Sequence, residues 1–486
     1  MTSQNKDMSL NLVKTGIDGL DAITYGGLTE ARAYLVKGGP GCGKTTMGMH
    51  FLSEGANPAQ RSLYVTLQES ETKLRQNASR QGFDLAHVDF LDLSPNSTLF
   101  SQNEGYDIFS SSEVEREPIT NQIVETVQRI KPRRVFLDPA SQFRYLTSDL
   151  YQYRIQVLSF LRFLTEQGAT VMFTSEGSQE APDDDLQFMA DGVIQLDNTL
   201  AGRYISISKL RGSDFMSGRH TMRLTAKGLE VFVRLNPQTE RKDFCMEAIP
   251  SGVPELDEML NGGLERGTVT IFTGPTGVGK TTLGFQFMKE YAGRGERSVV
   301  YSFEEEAEIM LLRCDQVNIP ARKMLERETL KVVKVEPLEY SPDEFAHMVR
   351  QHVEKDNARL VMIDSLAGYT LSMRGENLVP NLHALIKYLQ NKGVAVILVT
   401  EISSVIGDFE VTDVGVSYLA DNVVFLRYLE IRGELRKAIG VLKKRLSNFE
   451  KTLREFEITR YGIKVGKPLT ELRGILRGIP EWVKPE

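Results

Sequence analysis

Cysteine, tryptophan and histidine are scarce in this 486-residue chain, at three, one and six. The cysteines (Cys42, Cys245 and Cys314) lie far apart, which excludes a disulfide framework and points to a reducing compartment. The histidines form no ligand pattern. His347 and His352 are five apart, fall on different helix faces, and read as surface or packing residues. The most apolar stretch, Val394–Val399, is far too short for a bilayer, which needs about 20 residues. Met1–Lys14 is polar and lacks the apolar centre of a signal peptide, so a cytoplasmic location with no membrane partner is expected. Positive charge is not in excess either. With 58 Lys and Arg against 65 Asp and Glu, the net charge is −7, so no global field draws the chain to nucleic acid. The rest is globular in composition, 41% hydrophobic and 25% charged, and long enough for more than one core.

What the chain does have, it has twice. Gly274-Pro275-Thr276-Gly277-Val278-Gly279-Lys280-Thr281 follows the apolar run Thr268–Thr273 and precedes a helical pattern over Thr282–Tyr291. Gly38-Gly39-Pro40-Gly41-Cys42-Gly43-Lys44-Thr45 follows Ala33–Val36 in the same way. Strand, glycine-rich loop and helix in this order make a phosphate-binding loop. Glycine lets successive N–H groups turn to one anion, the helix N-terminus adds partial positive charge, and lysine reaches the β- and γ-phosphates. The nucleotide contacts expected are Gly39, Gly41, Cys42, Gly43, Lys44, Thr45 and Thr46 in one copy. In the other they are Gly274, Thr276, Gly277, Val278, Gly279, Lys280, Thr281 and Thr282. Thr45 and Thr281 present the hydroxyls for Mg²⁺, so ATP and Mg²⁺ are the expected cofactors.

The two loop lysines are 280 − 44 = 236 positions apart, and Thr15-Gly16-Ile17-Asp18-Gly19-Leu20-Asp21 returns at the same spacing as Ser251-Gly252-Val253-Pro254-Glu255-Leu256-Asp257. A constant offset means a tandem duplication. The boundary is expected near Asn236–Lys242, giving domains 1–237 and 238–486. Within each copy, strands and helices alternate. Ser62–Leu67, Val135–Leu137, Thr170–Phe173 and Gly192–Leu196 read as buried strands. Ile119, Ile123, Val127 and Ile130 form a helical stripe, as do Phe345, Met348, Val349, His352 and Val353 before Leu360–Ile363. The fold class is therefore α/β, a mostly parallel sheet covered by helices on both faces. Ser94–Pro118 is polar and reads as a long surface loop or a partner-docking loop.

A nucleotide hydrolase also needs a carboxylate beside the metal, a carboxylate for the attacking group, and cations on the developing charge. Val135-Phe136-Leu137-Asp138 and Val361-Met362-Ile363-Asp364 end apolar strands in an acid, the metal-side candidates. Gln68-Glu69 and Glu304-Glu305 close the strand after each loop helix, so Glu69, Glu304 and Glu305 are the catalytic candidates. Paired acids repel, which raises one pKa toward a useful value. An amide stands at position 68 where the second copy has Glu304, so the two sites differ chemically. Lys209-Leu210-Arg211 and Lys443-Lys444-Arg445 end strands far from their own loops. They are either solvated strand ends or cations delivered in trans to a neighbouring subunit, which would demand a ring.

With Tyr428-Leu429-Glu430-Ile431-Arg432-Gly433-Glu434, these features resemble the KaiC family of circadian-oscillator ATPases over nearly the whole chain. The resemblance implies two tandem RecA-like P-loop NTPase domains in a double-ring homohexamer, with ATP and Mg²⁺ at subunit interfaces. It implies slow hydrolysis in the first domain, and phosphoryl transfer to and from a Ser-Thr pair in the second. The acceptor position falls on Ser417 and Tyr418 within Thr412–Tyr418, with Glu304 as base and Lys209, Leu210, Arg211, Lys443 and Arg445 reaching a neighbour's nucleotide. Tyr418 stands where the family has threonine, Gln68 replaces a glutamate, and Leu446 replaces a glycine. The chain stops at Glu486 with little of the tail that binds KaiA, so KaiA binding is not expected, whereas a KaiB-like partner on the first domain is. Two other classes stand beside this reading. One is a nucleotide-gated scaffold ring with little turnover; the other is a RecA-like nucleic-acid motor, which the acidic balance disfavours.

Overall fold

In a computed structural model of the chain, the described residues are 11–94, 116–146, 150–175, 184–236, 243–374, 378–401, 417–473 and 481–482. They divide into two compact units, Met1–Arg234 and Leu235–Glu486, each built on a nine-stranded sheet.

In the first unit the strands are β1 (Ala33–Gly38), β2 (Ser62–Thr66), β3 (Val88–Asp92), β4 (Arg134–Asp138), β5 (Thr170–Ser175), β6 (Gly192–Thr199), β7 (Gly202–Leu210), β8 (His220–Thr225) and β9 (Gly228–Phe232). Their order across the sheet is β9-β8-β7-β6-β1-β5-β4-β2-β3. The pairs from β6 through β1 to β3 are parallel. From β6 to β9 they are antiparallel.

The second unit repeats the plan with β10 (Val269–Gly274), β11 (Arg297–Ser302), β12 (Leu330–Lys334), β13 (Ala358–Asp364), β14 (Ala395–Glu401), β15 (Asn422–Ile431), β16 (Glu434–Lys444), β17 (Arg454–Thr459) and β18 (Gly462–Pro468). Here the order is β12-β11-β13-β14-β10-β15-β16-β17-β18. Both units are α/β with mostly parallel sheets.

These runs are strands because alternate side chains feed two cores at once. In β10, Val269 and Ile271 join one core while Phe272 joins the other. In β1, Leu35 points opposite to Tyr34 and Val36. Helices close both faces. Met47, Phe51 and Leu52 of α1 (Lys44–Ser53) cover one side of the first sheet, and Tyr153, Val157 and Leu161 of helix Leu150–Glu166 cover the other. The second loop helix, α2 (Lys280–Gly293), plays the part of α1.

Helix Pro342–Glu354 begins with a reciprocal cap: Ser341 Oγ accepts from Glu344 N at 3.3 Å and Glu344 Oε2 accepts from Ser341 N at 2.6 Å. Phe345, Val349 and Val353 on it are buried, with Met348 packed at the edge. His352 is buried too, its Nδ1 2.6 Å from the Tyr301 hydroxyl. Of the helix expected upstream of β4, Ile123 and Val127 are buried, while the Ile119 side chain lies outside the description.

One boundary is corrected: the segment read as a loop to Pro118 ends earlier, because Arg116 already begins helix Arg116–Ile130. Residues 95–115 lie outside the described ones, as does 237–242, most of the expected boundary.

What matters for function is where the parallel strands end. Thr66 lies opposite Asp138 and Ser302 opposite Asp364, so the polar ends of neighbouring strands meet at one edge of each sheet. In open α/β sheets that edge is where ligands bind.

Candidate functional site

Each phosphate loop is set by a glycine at the helix cap. Gly43 (φ 106°) and Gly279 (φ 118°) are left-handed and cap α1 and α2. A Cβ on Gly279 would meet Ile458 Cδ1 at 2.4 Å, so only glycine fits there. The lysines are buried and curl over their own loops. Lys44 Nζ donates to the Gly38 and Gly39 carbonyls at 2.8 and 3.1 Å, and Lys280 Nζ to Gly274 and Pro275 at 2.7 and 2.9 Å. Burial lowers the pKa of Lys280, while Glu401, Asp364 and Glu304 oppose the shift.

Beside each lysine sits a hydroxyl–carboxylate pair. Thr45 Oγ1 donates to Asp138 Oδ2 at 2.8 Å, and Thr281 Oγ1 to Asp364 Oδ2 at 2.7 Å. The members of the first pair are 93 positions apart in the sequence and those of the second 83, and the sheet closes both gaps. One carboxylate and one hydroxyl suit Mg²⁺, which takes few protein ligands and completes its shell with water and phosphate oxygens. No group of three or more His, Cys, Asp or Glu side chains placed to hold a metal ion occurs among the described residues.

The aspartates differ. Asp138 also accepts from the Tyr64 hydroxyl at 3.0 Å and from Thr174 Oγ1. Val300, the counterpart of Tyr64, has no hydroxyl to offer Asp364. Burial, then the nearby Glu304 and Glu305, push Asp364 up to about 6, against the Thr281 hydrogen bond and Lys280.

In the first unit these groups line a cavity of about 330 Å³, which also contains Gly41, Thr46, Gln68, Glu69 and Leu224. The turn carrying the catalytic candidates is closed by a strand-end hydroxyl in both units: Thr66 Oγ1 donates to the Glu69 carbonyl and Ser302 Oγ to that of Glu305. In the second unit Glu304 accepts from the Ser365 hydroxyl, and Ser365 also caps helix Leu366–Ser372 through Gly368 N at 3.1 Å.

Comparison with known proteins gives the same duplicated picture. The family model described as "ATPase: KaiC" matches residues 13–236 and again 249–470. The chain belongs to the KaiC family. It is 29% identical over 497 residues to the circadian clock protein KaiC3 of Synechocystis sp., covering 99% of this chain and 97% of the relative. It is 28% identical over 508 residues to the circadian clock oscillator protein KaiC of Synechococcus elongatus, covering 99% and 94%. Membership makes both units nucleotide-binding domains of RecA-like fold. No described helix is long and apolar enough to cross a membrane.

Within this KaiC-family chain several expectations need correction. The expected repulsion between Glu304 and Glu305 is relieved, because Glu305 forms an ion pair with Arg313 of the following helix. The acid whose pKa rises is Asp364. Lys209 is not a free strand end. Its ammonium donates to the carbonyls of Gln187, Phe188 and Ala190 at 2.9, 3.3 and 2.6 Å, at the end of helix Asp184–Met189 of its own domain. Lys443 donates likewise to the Ala420 carbonyl at 2.6 Å. Arg211 lies 3.8 Å from Asp191, and Arg445 donates to Asp421 at 3.2 Å and to the Tyr418 carbonyl at 3.3 Å. Both arginine side chains stay more than half exposed, at 58% and 52%. Leu210 packs at the edge of the first core.

Ser417 opens the turn Ser417–Leu419 just before β15, though its side chain lies outside the description, as does Thr412. Tyr418 is exposed, its ring edge-on to His383 at 5.7 Å.

Sequence reasoning missed other contacts. Arg203 donates to the Gly41 carbonyl at 2.6 Å and Lys437 to that of Gly277 at 3.3 Å, one cation per loop at matching positions of the repeat. Each stands six residues before Lys209 or Lys443, a regularity visible in the sequence. Glu401 accepts from Thr276 Oγ1 at 2.9 Å, and the only signal for it was an acid ending an apolar strand.

Proposed function

We propose that the chain is a KaiC-type clock ATPase that hydrolyses ATP in its first domain and transfers a phosphoryl group to Ser417 in its second. The observation that carries this reading is the twice-built triad of loop lysine, metal-side hydroxyl–carboxylate pair and strand-end acid, present once with Gln68-Glu69 and once with Glu304-Glu305. In the first domain Glu69 orients a water against the γ-phosphorus. In the second, the Ser417 oxygen attacks that phosphorus, the bond to the β–γ bridging oxygen breaks, ADP leaves, and Glu304 takes the hydroxyl proton. Lys44 and Lys280 hold phosphate oxygens. Thr45 with Asp138, and Thr281 with Asp364, would hold Mg²⁺, which when bound neutralises charge on the phosphates.

In this proposal Ser417 receives its phosphate from a neighbouring subunit's second-domain site, so a homohexameric ring is part of it. Arg211 and Arg445, exposed at strand ends, are its intersubunit cations. Lys209 and Lys443 are engaged on carbonyls of their own domains and are left out of that role. The relatives named as circadian clock proteins support a role in timing. A KaiB-like partner on the first domain belongs to the proposal alone.

The test is direct. Purified protein is incubated with ATP and Mg²⁺ and its phosphosites are mapped by mass spectrometry, beside a Glu304→Gln control. Phosphate on Ser417 that disappears in the control is expected. ATP consumption with no phosphate on the protein would leave hydrolysis alone standing.

A further inference from the structure

The second phosphate loop holds an acid that the proposed chemistry does not use. Glu401 ends β14, the strand paired in parallel with β10, and lies in register with Gly274, the first residue of the loop. Its Oε1 accepts from Thr276 Oγ1 at 2.9 Å and lies 3.9 Å from Lys280 Nζ. The Lys280 side chain is 6% exposed and that of Glu401 40% exposed. The hydrogen bonds of the ammonium go to the Gly274 and Pro275 carbonyls, and Glu401 faces it as an ion-pair partner. Two loop groups expected to meet the nucleotide thus already face a carboxylate.

On this geometry we infer that Glu401 is a built-in competitor of the nucleotide: its carboxylate holds the loop's threonine and stands beside its lysine, and a triphosphate must displace it to bind in the second domain. The inference rests on the nucleotide reading of this loop.

The physical reasoning is like-charge exclusion. A phosphate oxygen approaching Lys280 comes within a few ångströms of Glu401, and the two anions cannot share one buried ammonium without loss. Asp364 and Glu304 are already near that lysine, so a further acid adds repulsion that the lysine alone does not offset. Glutamine keeps the shape and an oxygen for Thr276 but carries no charge. The counterpart of Glu401 in the first copy is Glu176, which lies outside the described residues, so the inference is confined to the second domain.

The experiment uses the full chain with Lys44→Ala to silence the first site, and titrates a non-hydrolysable ATP analogue with Mg²⁺, alongside ADP. Glu401→Gln is expected to tighten the analogue about tenfold and ADP less, a value between the bulk-water and near-surface limits for two unit charges about 4 Å apart. Lys280→Ala in the same background is the check on the site itself. Binding that is lost in Lys280→Ala but unchanged or weaker in Glu401→Gln overturns the competitor role; a weaker value would make Glu401 a ligand of the bound metal or nucleotide. Binding indifferent to Lys280→Ala overturns the nucleotide reading of this loop, and the inference with it.

Discussion

Removing the Ser365 hydroxyl isolates what orients the second domain's catalytic candidate. That hydroxyl donates to Glu304 and accepts from Gly368 N at the start of helix Leu366–Ser372. Ser365→Ala deletes both. Loss of an N-cap costs about 1 kcal/mol of stability. A hydrogen bond to a charged group is worth roughly 1.5–3 kcal/mol when buried. Glu304 is exposed, so solvent screens it and about 1 kcal/mol of orientation is the reasonable figure. In a barrier, 1 kcal/mol is about fivefold in rate. Ser365→Ala is therefore expected to lower second-domain turnover about fivefold and to shift the denaturant midpoint by about 1 kcal/mol. Turnover is read as ADP formation in a Lys44→Ala background. Ser365→Thr restores cap and donor and should recover both quantities. A Ser365→Ala protein that loses stability but keeps full turnover would refute the positioning role and leave Ser365 a helix cap only. The first domain has Pro139 at this place, which can make neither contact, so nothing equivalent operates there.

Other outcomes follow from particular contacts. Nucleotide stoichiometry by equilibrium dialysis should be two per chain, falling to one in either Lys44→Ala or Lys280→Ala and to none in the double variant. Gly279→Ala forces a Cβ against Ile458 at φ 118° and should destabilise the second unit by about 1–3 kcal/mol while abolishing its nucleotide site, as read by urea unfolding and dialysis. Tyr64→Phe removes one donor from Asp138 and should alter first-domain hydrolysis while leaving second-domain turnover unchanged. His352 is buried and its pKa is lowered below 6.5, chiefly by burial and then by Lys331. The unfolded chain thus binds the proton more readily, so stability is full above about pH 6.5 and declines as pH falls below it. Hydrogen exchange in the second unit should show that loss between pH 7.5 and 5.5, and His352→Gln should flatten it.

Local pattern carried much of this molecule. Two phosphate loops were legible because a turn dense in glycine followed by Lys-Thr has few physical uses, and the repeat at constant spacing turned two weak motifs into one duplicated domain. The strands were legible where both faces are buried, since Leu360–Ile363 or Val394–Val399 reads as a continuous apolar run. Asp138 and Asp364 stood out for ending such runs, and the parallel pairing of neighbouring strands brings them to the loop threonines. Beyond that, sequence position said little about direction. Glu305 looked like half of an acid pair until the next helix presented Arg313, and Lys209 looked free until helix Asp184–Met189 presented its carbonyls. Glu401 became a neighbour of Lys280 only when β14 took its place beside β10 in register with Gly274. Backbone chemistry confined to a dozen residues is written in the chain itself. Which charge faces which is settled by strand order and register between segments scores of residues apart, because Coulomb and hydrogen-bond energies depend on distances that only packing fixes.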